Sequence, residues 1–541
     1  MSARIFSTDE AFNAFGHWLV SHGGFIHGSL TFTPPDSKYG SRVITCTDIP
    51  SHSQLISCPH TLTINYTKAR SAFSADFITN TTQHAALCMF LCLEWLKGKE
   101  SFWWPYLCVL PREFDTPLYF SDEDLQFLQG CNLEATEVEA RKLIWREEFE
   151  AAVSILQREG YDTEYYTWEL YLWASTIFTS RSFPGKLMDW DRIIVHEDDT
   201  MPILFPLIDS LNHYPATIIT WQPSDTSLRI ISGVGVSAGA EVYNNYGPKA
   251  NEELLMGYGF TLLQNPFDSF LLKSSPPLTP LQHSILGESP TGLYHLTPRN
   301  RTPENPSIYP SSLLTLIYIL TSTPTEASCM LTTQPTKPAT KRNELSTHIT
   351  LLHALLRKHQ NFPLTLPEPR NSKQASAKIY ADSQRSLILS AIGESKDIIN
   401  SHTTSSGLIR LQSALGRAGG ADMAFAAAIE SCFGSADVQE LMEAGQEDVV
   451  FILYLCHLSL TEKGFRLPVC PTSSPEATQS AQELHEGLFP AVVNAAPAVF
   501  GGEGWTVDLL HRGMEAYANM GIRFPEIEGL VVAGEYAVCL E

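Results

Sequence analysis

LFPLIDSLNHY, residues 204–214, and EVYNNYGPKANEELLMGYGF, residues 241–260, are the two stretches whose reading decides the fold of this 541-residue chain. In the first, an apolar run over Ile203 to Ile208 ends in Asp209, Asn212 and His213. In the second, the strand-like Ala240-Glu241-Val242 runs into Tyr243-Asn244-Asn245-Tyr246-Gly247, then into Asn251, Leu254-Leu255 and Tyr258-Gly259-Phe260. An apolar segment that ends in hydrogen-bonding groups delivers them to the end of a buried element, a common way to build a binding site. Singly, each stretch also suits a plain turn: Asp-x-x-Asn-His is a natural turn former, and Tyr246-Gly247-Pro248 fits a turn after a strand.

The rest of the chain bounds the setting. Its length suggests roughly two to four domains. A 44% hydrophobic and 18% charged composition describes a globular protein. The first ten residues, MSARIFSTDE, hold no apolar core of a signal peptide. The longest apolar stretch, 449–460, is too short to span a bilayer and contains His457, so no membrane partner is expected. Eleven scattered cysteines without a CxxC pair suit free thiols in a reducing compartment. A formal net charge of −23 argues against direct nucleic-acid binding and favours a basic protein segment as partner; acidity also serves solubility alone.

In chain order, Ser7-x-x-Glu10 has capping-box spacing ahead of Phe12, Phe15 and Leu19, which predicts a first amphipathic helix. Short β-like runs follow at 25–32 and 42–47, with turn chemistry at Pro34-Pro35-Asp36 and Tyr39-Gly40. From His84 to Trp173 the pattern is helical, with a stripe of Trp145, Phe149, Ala152 and Leu156. His84, Cys88 and Cys92 share one helical face, which reads as packing, and no metal site is expected. The segments 265–311 and 321–340 are rich in Pro, Ser and Thr and read as linkers or surface loops. Beyond them helices are expected at 345–356, 376–392, 437–442, 447–460, 475–488 and 506–520, with few strand signals.

Taken together, the Asp209–His213 corner, the Tyr246 stretch, Ser180-Arg181-Ser182-Phe183 and the terminal Tyr258-Gly259-Phe260 resemble the SET-domain protein-lysine methyltransferases, in the branch of the Rubisco large-subunit methyltransferase. The aromatic runs Ser101 to Tyr106 and Tyr171 to Ala174 resemble the helical insert of that branch, at about 84–180. No cysteine cluster near residue 260 suggests the zinc modules of histone-type SET proteins, and there is no Gly-x-Ser-x-Gly, His-Glu-x-x-His or P-loop motif. The resemblance implies an α+β fold: a SET β-fold with helical insert over 1–270, followed by a mostly α-helical, substrate-binding domain over 275–541.

It also implies S-adenosyl-L-methionine as methyl donor and a lysine of a non-histone protein as acceptor, with ribosomal proteins and translation factors as substrates in this branch. Asn212 and His213 are then expected against the donor, and Arg181 on its carboxylate. Asp209 belongs to the same group, holding the local backbone. Tyr246 is the catalytic tyrosine beside methyl and amine, and Tyr258 and Phe260 line the lysine channel. The family's Gly-x-Gly loop reads Gly40-Ser41-Arg42 here, so backbone groups of Arg42 and Val43 take its place under the donor. Two alternatives stay open on sequence: a protein-histidine methyltransferase, and a catalytically silent adaptor on the same fold. The expected location is the cytoplasm, with the nucleus second; oligomeric state is not legible.

Overall fold

The computed structural model describes residues 5–36, 40–188, 201–287, 290–302, 307–332, 337–403, 408–415, 422–467, 475–531, 534 and 536–539. The chain divides into two compact units, Met1–Asp268 with Pro363–Gln384, and Ser269–Phe362 with Arg385–Glu541.

The first unit opens on the helix Glu10–Ser21. Its cap differs from the sequence expectation. Asp9, not Ser7, sits at the N-cap and accepts from the amides of Ala11 and Phe12 at 2.9 and 3.1 Å. A carboxylate reaches two amides of the first turn with a charge that suits the helix dipole, which outcompetes a serine two residues earlier. Phe12, Phe15 and Leu19 are buried as the periodicity predicts.

Eight short strands follow: β1 (Phe25–Ile26), β2 (Leu30–Asp36), β3 (Gly40–Thr45), β4 (Gln54–Pro59), β5 (Ser182–Phe183), β6 (Ile203–Leu204), β7 (Ile219–Pro223) and β8 (Ser227–Ser232). They form an antiparallel sheet in the order β1-β4-β8-β7 and two hairpin-like pairs, β2 with β3 and β5 with β6. The Pro34-Pro35-Asp36 turn signal therefore lies inside β2, while Tyr39 lies outside the described residues. Single bridges Ile44↔Glu241, Ile49↔Val236 and Ile64↔Leu204 tie these pieces to one another. Short pieces held by scattered bridges carry little period-2 signal, so the sequence shows them weakly.

Between β4 and β5 lies a helical block containing Gln83–Leu96, Ala135–Arg158 and Trp168–Arg181. Gln83–Leu96 is buried on nearly every face, as a helix apolar all round must be. His84 and Cys88 are engaged there: His84 Nδ1 lies 2.7 Å from Glu148 Oε2 and its Nε2 lies 3.5 Å from Cys88 Sγ. Among the described residues no group of three or more His, Cys, Asp or Glu side chains gathers as metal ligands.

The segment Pro363–Gln384 completes this unit. Tyr380, fully buried, accepts from the Leu133 amide at 3.1 Å and donates to Glu252 at 3.0 Å, and Gln374 donates to Asp124 at 2.9 Å.

The second unit is mainly helical, with long helices Lys341–His359, Glu447–Thr461 and Val507–Met520, the last two packing with Phe425, Phe500 and Trp505 in one core. Two expectations are corrected in it. The Pro- and Thr-rich segments are structured: Phe270–Lys273 pairs with Leu293–Leu296, and helices Pro280–Leu286 and Pro324–Met330 start from capping boxes at Thr279 and Thr323. A three-stranded sheet of Leu408–Arg410, Tyr536–Cys539 and Gly521–Arg523 also lies where strands were not expected. Among the described residues no helix is long and apolar enough to cross a membrane.

Candidate active site

Pairing of β5 with β6 decides the first half of the site. Ser182 lies opposite Leu204, so the end of helix Trp168–Arg181 arrives beside the turn that follows β6. That turn is tight. Leu207 takes φ +77, a conformation rare outside glycine, and the Ile208–Ser210 turn follows it. Arg181 Nη1 then donates to the Asp209 carbonyl at 3.1 Å and to Asp209 Oδ2 at 3.3 Å.

Tyr106, buried in the helical insert, donates its hydroxyl to the same Oδ2 at 2.7 Å. Asp209 is expected beside the donor, but its side chain is wholly sealed, with 0% exposure. Its part is to hold Arg181, whose side chain remains 20% exposed. Burial pushes the Asp209 carboxyl up, opposed by the Arg181 guanidinium and the hydrogen bonds from Tyr106 and Arg181.

The second half is stitched to the first by backbone. The Asn244 amide donates to the Asn212 carbonyl at 2.7 Å, and the Tyr214 amide donates to the Asn244 carbonyl at 3.0 Å, making a parallel bridge between His213 and Asn244. The Tyr246 amide donates to His213 Nδ1 at 3.0 Å, and the Tyr246 hydroxyl donates to the Leu211 carbonyl at 2.9 Å. Asn212 and Tyr246 thus face one corner. Nδ1 as acceptor requires the proton on Nε2, and burial lowers the His213 pKa in keeping with a neutral ring.

From this corner runs a continuous aromatic series. His213 stacks on Tyr246 at 4.9 Å, Tyr246 on Tyr258 at 4.9 Å, and Phe260 meets Tyr258 at 6.2 Å and His213 at 6.3 Å. Burial raises the hydroxyl pKa of Tyr246 and pushes that of Tyr258 up to about 12, so both stay protonated.

Tyr258 ends the helix Asn251–Tyr258, and Gly259 turns the chain at φ +83. A Cβ on Gly259 would meet the backbone of Asp115 and Thr116 at 2.8 and 2.9 Å, so glycine is required by space as well as by conformation.

At amino-acid level the chain is 30% identical over 525 residues, 88% of its own length and 92% of the relative's, to the ribosomal lysine N-methyltransferase set10 of Schizosaccharomyces pombe. The chain belongs to the SET-domain protein-lysine methyltransferases. This methyltransferase is also 28% identical to the protein-lysine N-methyltransferase EFM1 of Saccharomyces cerevisiae, over 48% of its chain and 52% of that relative. It is 24% identical to the human actin-histidine N-methyltransferase, over 47% and 43%. The fold is that of Rubisco LSMT solved with AdoMet, at TM-score 0.59 and 19% identity over 72% of this chain and 92% of that one. No protein-family profile matches.

In the methyltransferase the Gly40-Ser41-Arg42 loop, expected under the donor, stands against Asn212 rather than apart from it. Asn212 Nδ2 donates to the Ser41 carbonyl at 3.0 Å and to Glu241 Oε1 at 2.8 Å. The Arg42 carbonyl accepts from the Thr33 hydroxyl at 3.2 Å, and the Val43 carbonyl from the Val242 amide at 2.8 Å. These carbonyls serve the local sheet. Gly40, in the left-handed region at φ +65, supplies the turn.

Three positioning residues were given no role on sequence, although Asn244 and Asn251 belong to the stretch that decides the fold. Tyr106 reads there as one of many core aromatics. Asn244, fully buried, accepts from Trp221 Nε1 and from the Asn245 amide, each at 2.8 Å. Asn251 ties the start of the last helix to the chain after Phe260: its Nδ2 donates to the Leu262 carbonyl at 2.9 Å and to Asp268 Oδ2 at 2.8 Å.

Proposed function

We propose that this enzyme transfers a methyl group from S-adenosyl-L-methionine to a lysine side chain of a ribosomal protein or translation factor, with Tyr246 at the reacting centre. The observation that carries the reading is the hydrogen-bonded junction of Asn212-His213 with Tyr246, backed by the rings of Tyr258 and Phe260. S-adenosylmethionine supplies a methyl already activated on a sulfonium, so no nucleophile or metal is demanded of the protein. The residue set fits that donor. Arg181 offers a partly exposed guanidinium for a carboxylate. Asn212 and the backbone around Arg42 and Val43 border the same corner, and π faces favour a cationic sulfur.

The acceptor must reach the methyl as a neutral amine, whereas free lysine has a pKa near 10.4. A channel walled by Tyr258 and Phe260 penalises the charged form. The Tyr246 hydroxyl spends its one hydrogen on the Leu211 carbonyl, so its oxygen lone pairs are left to accept an N–H from the amine and fix its approach. Holding that line of approach supplies most of the rate.

The first unit is the catalytic domain in this reading, and the helical unit selects the protein substrate, a basic segment drawn by the −23 charge. Nucleic acid and membrane are not direct partners, and the enzyme works in the cytoplasm, with the nucleus second. Incubation of purified enzyme with isotope-labelled donor and ribosomal extract, followed by residue-level mass spectrometry, tests it. Label on lysine is expected. Label on histidine overturns the acceptor assignment, and no label with no donor binding overturns the activity.

A further inference from the structure

The geometry points to Tyr106 and Asp209 as positioning residues that hold Arg181 for the methyl donor's carboxylate, an inference that rests on the function proposed above. Tyr106 comes from the helical insert, 103 positions before Asp209, and its hydroxyl meets Asp209 Oδ2 at 2.7 Å. The same oxygen takes Arg181 Nη1 at 3.3 Å, and the Asp209 carbonyl takes it at 3.1 Å. Arg181 is therefore gripped at two points by one residue.

Neither Tyr106 nor the Asp209 carboxylate reaches solvent: the Asp209 side chain has 0% exposure and Tyr106 has 1%. Of the three, Arg181 alone has a side chain that is partly exposed, 20% against 0% for Asp209. Tyr106 and Asp209 therefore act on a ligand through Arg181.

A buried carboxylate needs donors on its oxygens. Asp209 Oδ1 has no hydrogen-bond partner among the described residues, which concentrates the demand on Oδ2. Deleting the Tyr106 hydroxyl leaves Arg181 as the one side-chain donor to that oxygen. The guanidinium is then drawn inward onto Asp209 and away from the ligand. The hydroxyl thus keeps Asp209 from competing with the donor for Arg181, while the carbonyl contact fixes the guanidinium plane.

Calorimetric titration of the full-length enzyme with S-adenosylhomocysteine, in a double-mutant cycle of Tyr106→Phe and Arg181→Ala, tests this. Tyr106→Phe is expected to weaken binding about tenfold in the wild-type background. In the Arg181→Ala background it is expected to have no further effect. Equal effects in both backgrounds overturn the inference, because a generally loosened fold weakens binding whether or not Arg181 is present. If Tyr106→Phe does not fold, Asp209→Ala, which removes the side-chain oxygen that Arg181 and Tyr106 share, enters the same cycle with the same expectation. Failure of the wild-type enzyme to bind the ligand sinks the proposed function itself, whereas additivity with intact wild-type binding sinks only this inference.

Discussion

At the scale of single residues, the proposed function separates groups that would touch the reactants from groups that hold them, and two tests tell these apart. Tyr246→Phe removes one hydroxyl from a stack that His213 and Tyr258 keep in place at 4.9 Å on either side. Donor affinity should stay within about threefold while turnover falls by roughly two to three orders of magnitude. Calorimetry paired with single-turnover kinetics reads both, and unchanged turnover removes Tyr246 from the mechanism.

His213 makes a pH prediction. Its pKa is lowered by burial below the ordinary 6.5, and its neutral Nδ1 accepts the Tyr246 amide. A depressed folded-state pKa means the stabilising contribution is complete above 6.5 and is lost as pH falls through the folded value. Donor affinity should therefore be flat from pH 8 to 7 and drop in the acid range below 6.5. A drop centred at or above 6.5 contradicts the neutral-ring reading.

At the scale of elements, what was legible depended on how local the signal was. The helices Lys341–His359, Glu447–Thr461 and Val507–Met520 announce themselves because their periodicity sits within one continuous stretch. The strand Leu408–Arg410 is three residues long and pairs with Tyr536–Cys539 far along the chain, so nothing nearby encodes it. Thr279-Pro280 and Thr323-Pro324 look like linker composition, yet threonine at the N-cap with proline at the first turn is helix-start chemistry, completed by Gln282 and Glu326 three residues on.

The candidate site follows the same logic. Asn212, His213 and Tyr246 were readable because each cluster is compact in sequence. Tyr106 was not, because its role exists only once the insert folds against Asp209. The turn after helix Asn251–Tyr258 offers the test at this scale. Gly259→Ala puts a Cβ against Asp115 and Thr116 in a left-handed conformation, and should destabilise the enzyme by about 2 kcal/mol or more. Thermal melting reads the loss, and an unchanged melting temperature means the 115–116 backbone yields without cost.

At the scale of the whole molecule, a boundary drawn at residue 270 cuts through the first unit's needs. Pro363–Gln384 returns to it: Tyr380 reaches Leu133 and Glu252, Asn371 and Gln374 donate to Asp124, and Ser383 donates to Asp268. A fragment ending at 270 loses these hydrogen bonds, each worth about 0.5–1.5 kcal/mol net, together with the burial of Tyr380. It should fail to melt cooperatively where the full chain does, and a fragment melting with the full chain's midpoint shows the returning segment to be dispensable.

The charge of −23 makes the last prediction. A field of that sign concentrates a Lys-rich substrate around the enzyme without contributing to the chemical step, so it belongs in kcat/KM and not in kcat. Between about 0.01 and 0.15 M salt the screening length falls from about 30 to about 8 Å. Over that range kcat/KM on a Lys-rich protein substrate should fall by about three- to tenfold while kcat holds. A kcat/KM indifferent to salt assigns the acidity to solubility alone and leaves selection of the substrate to contacts of shorter range.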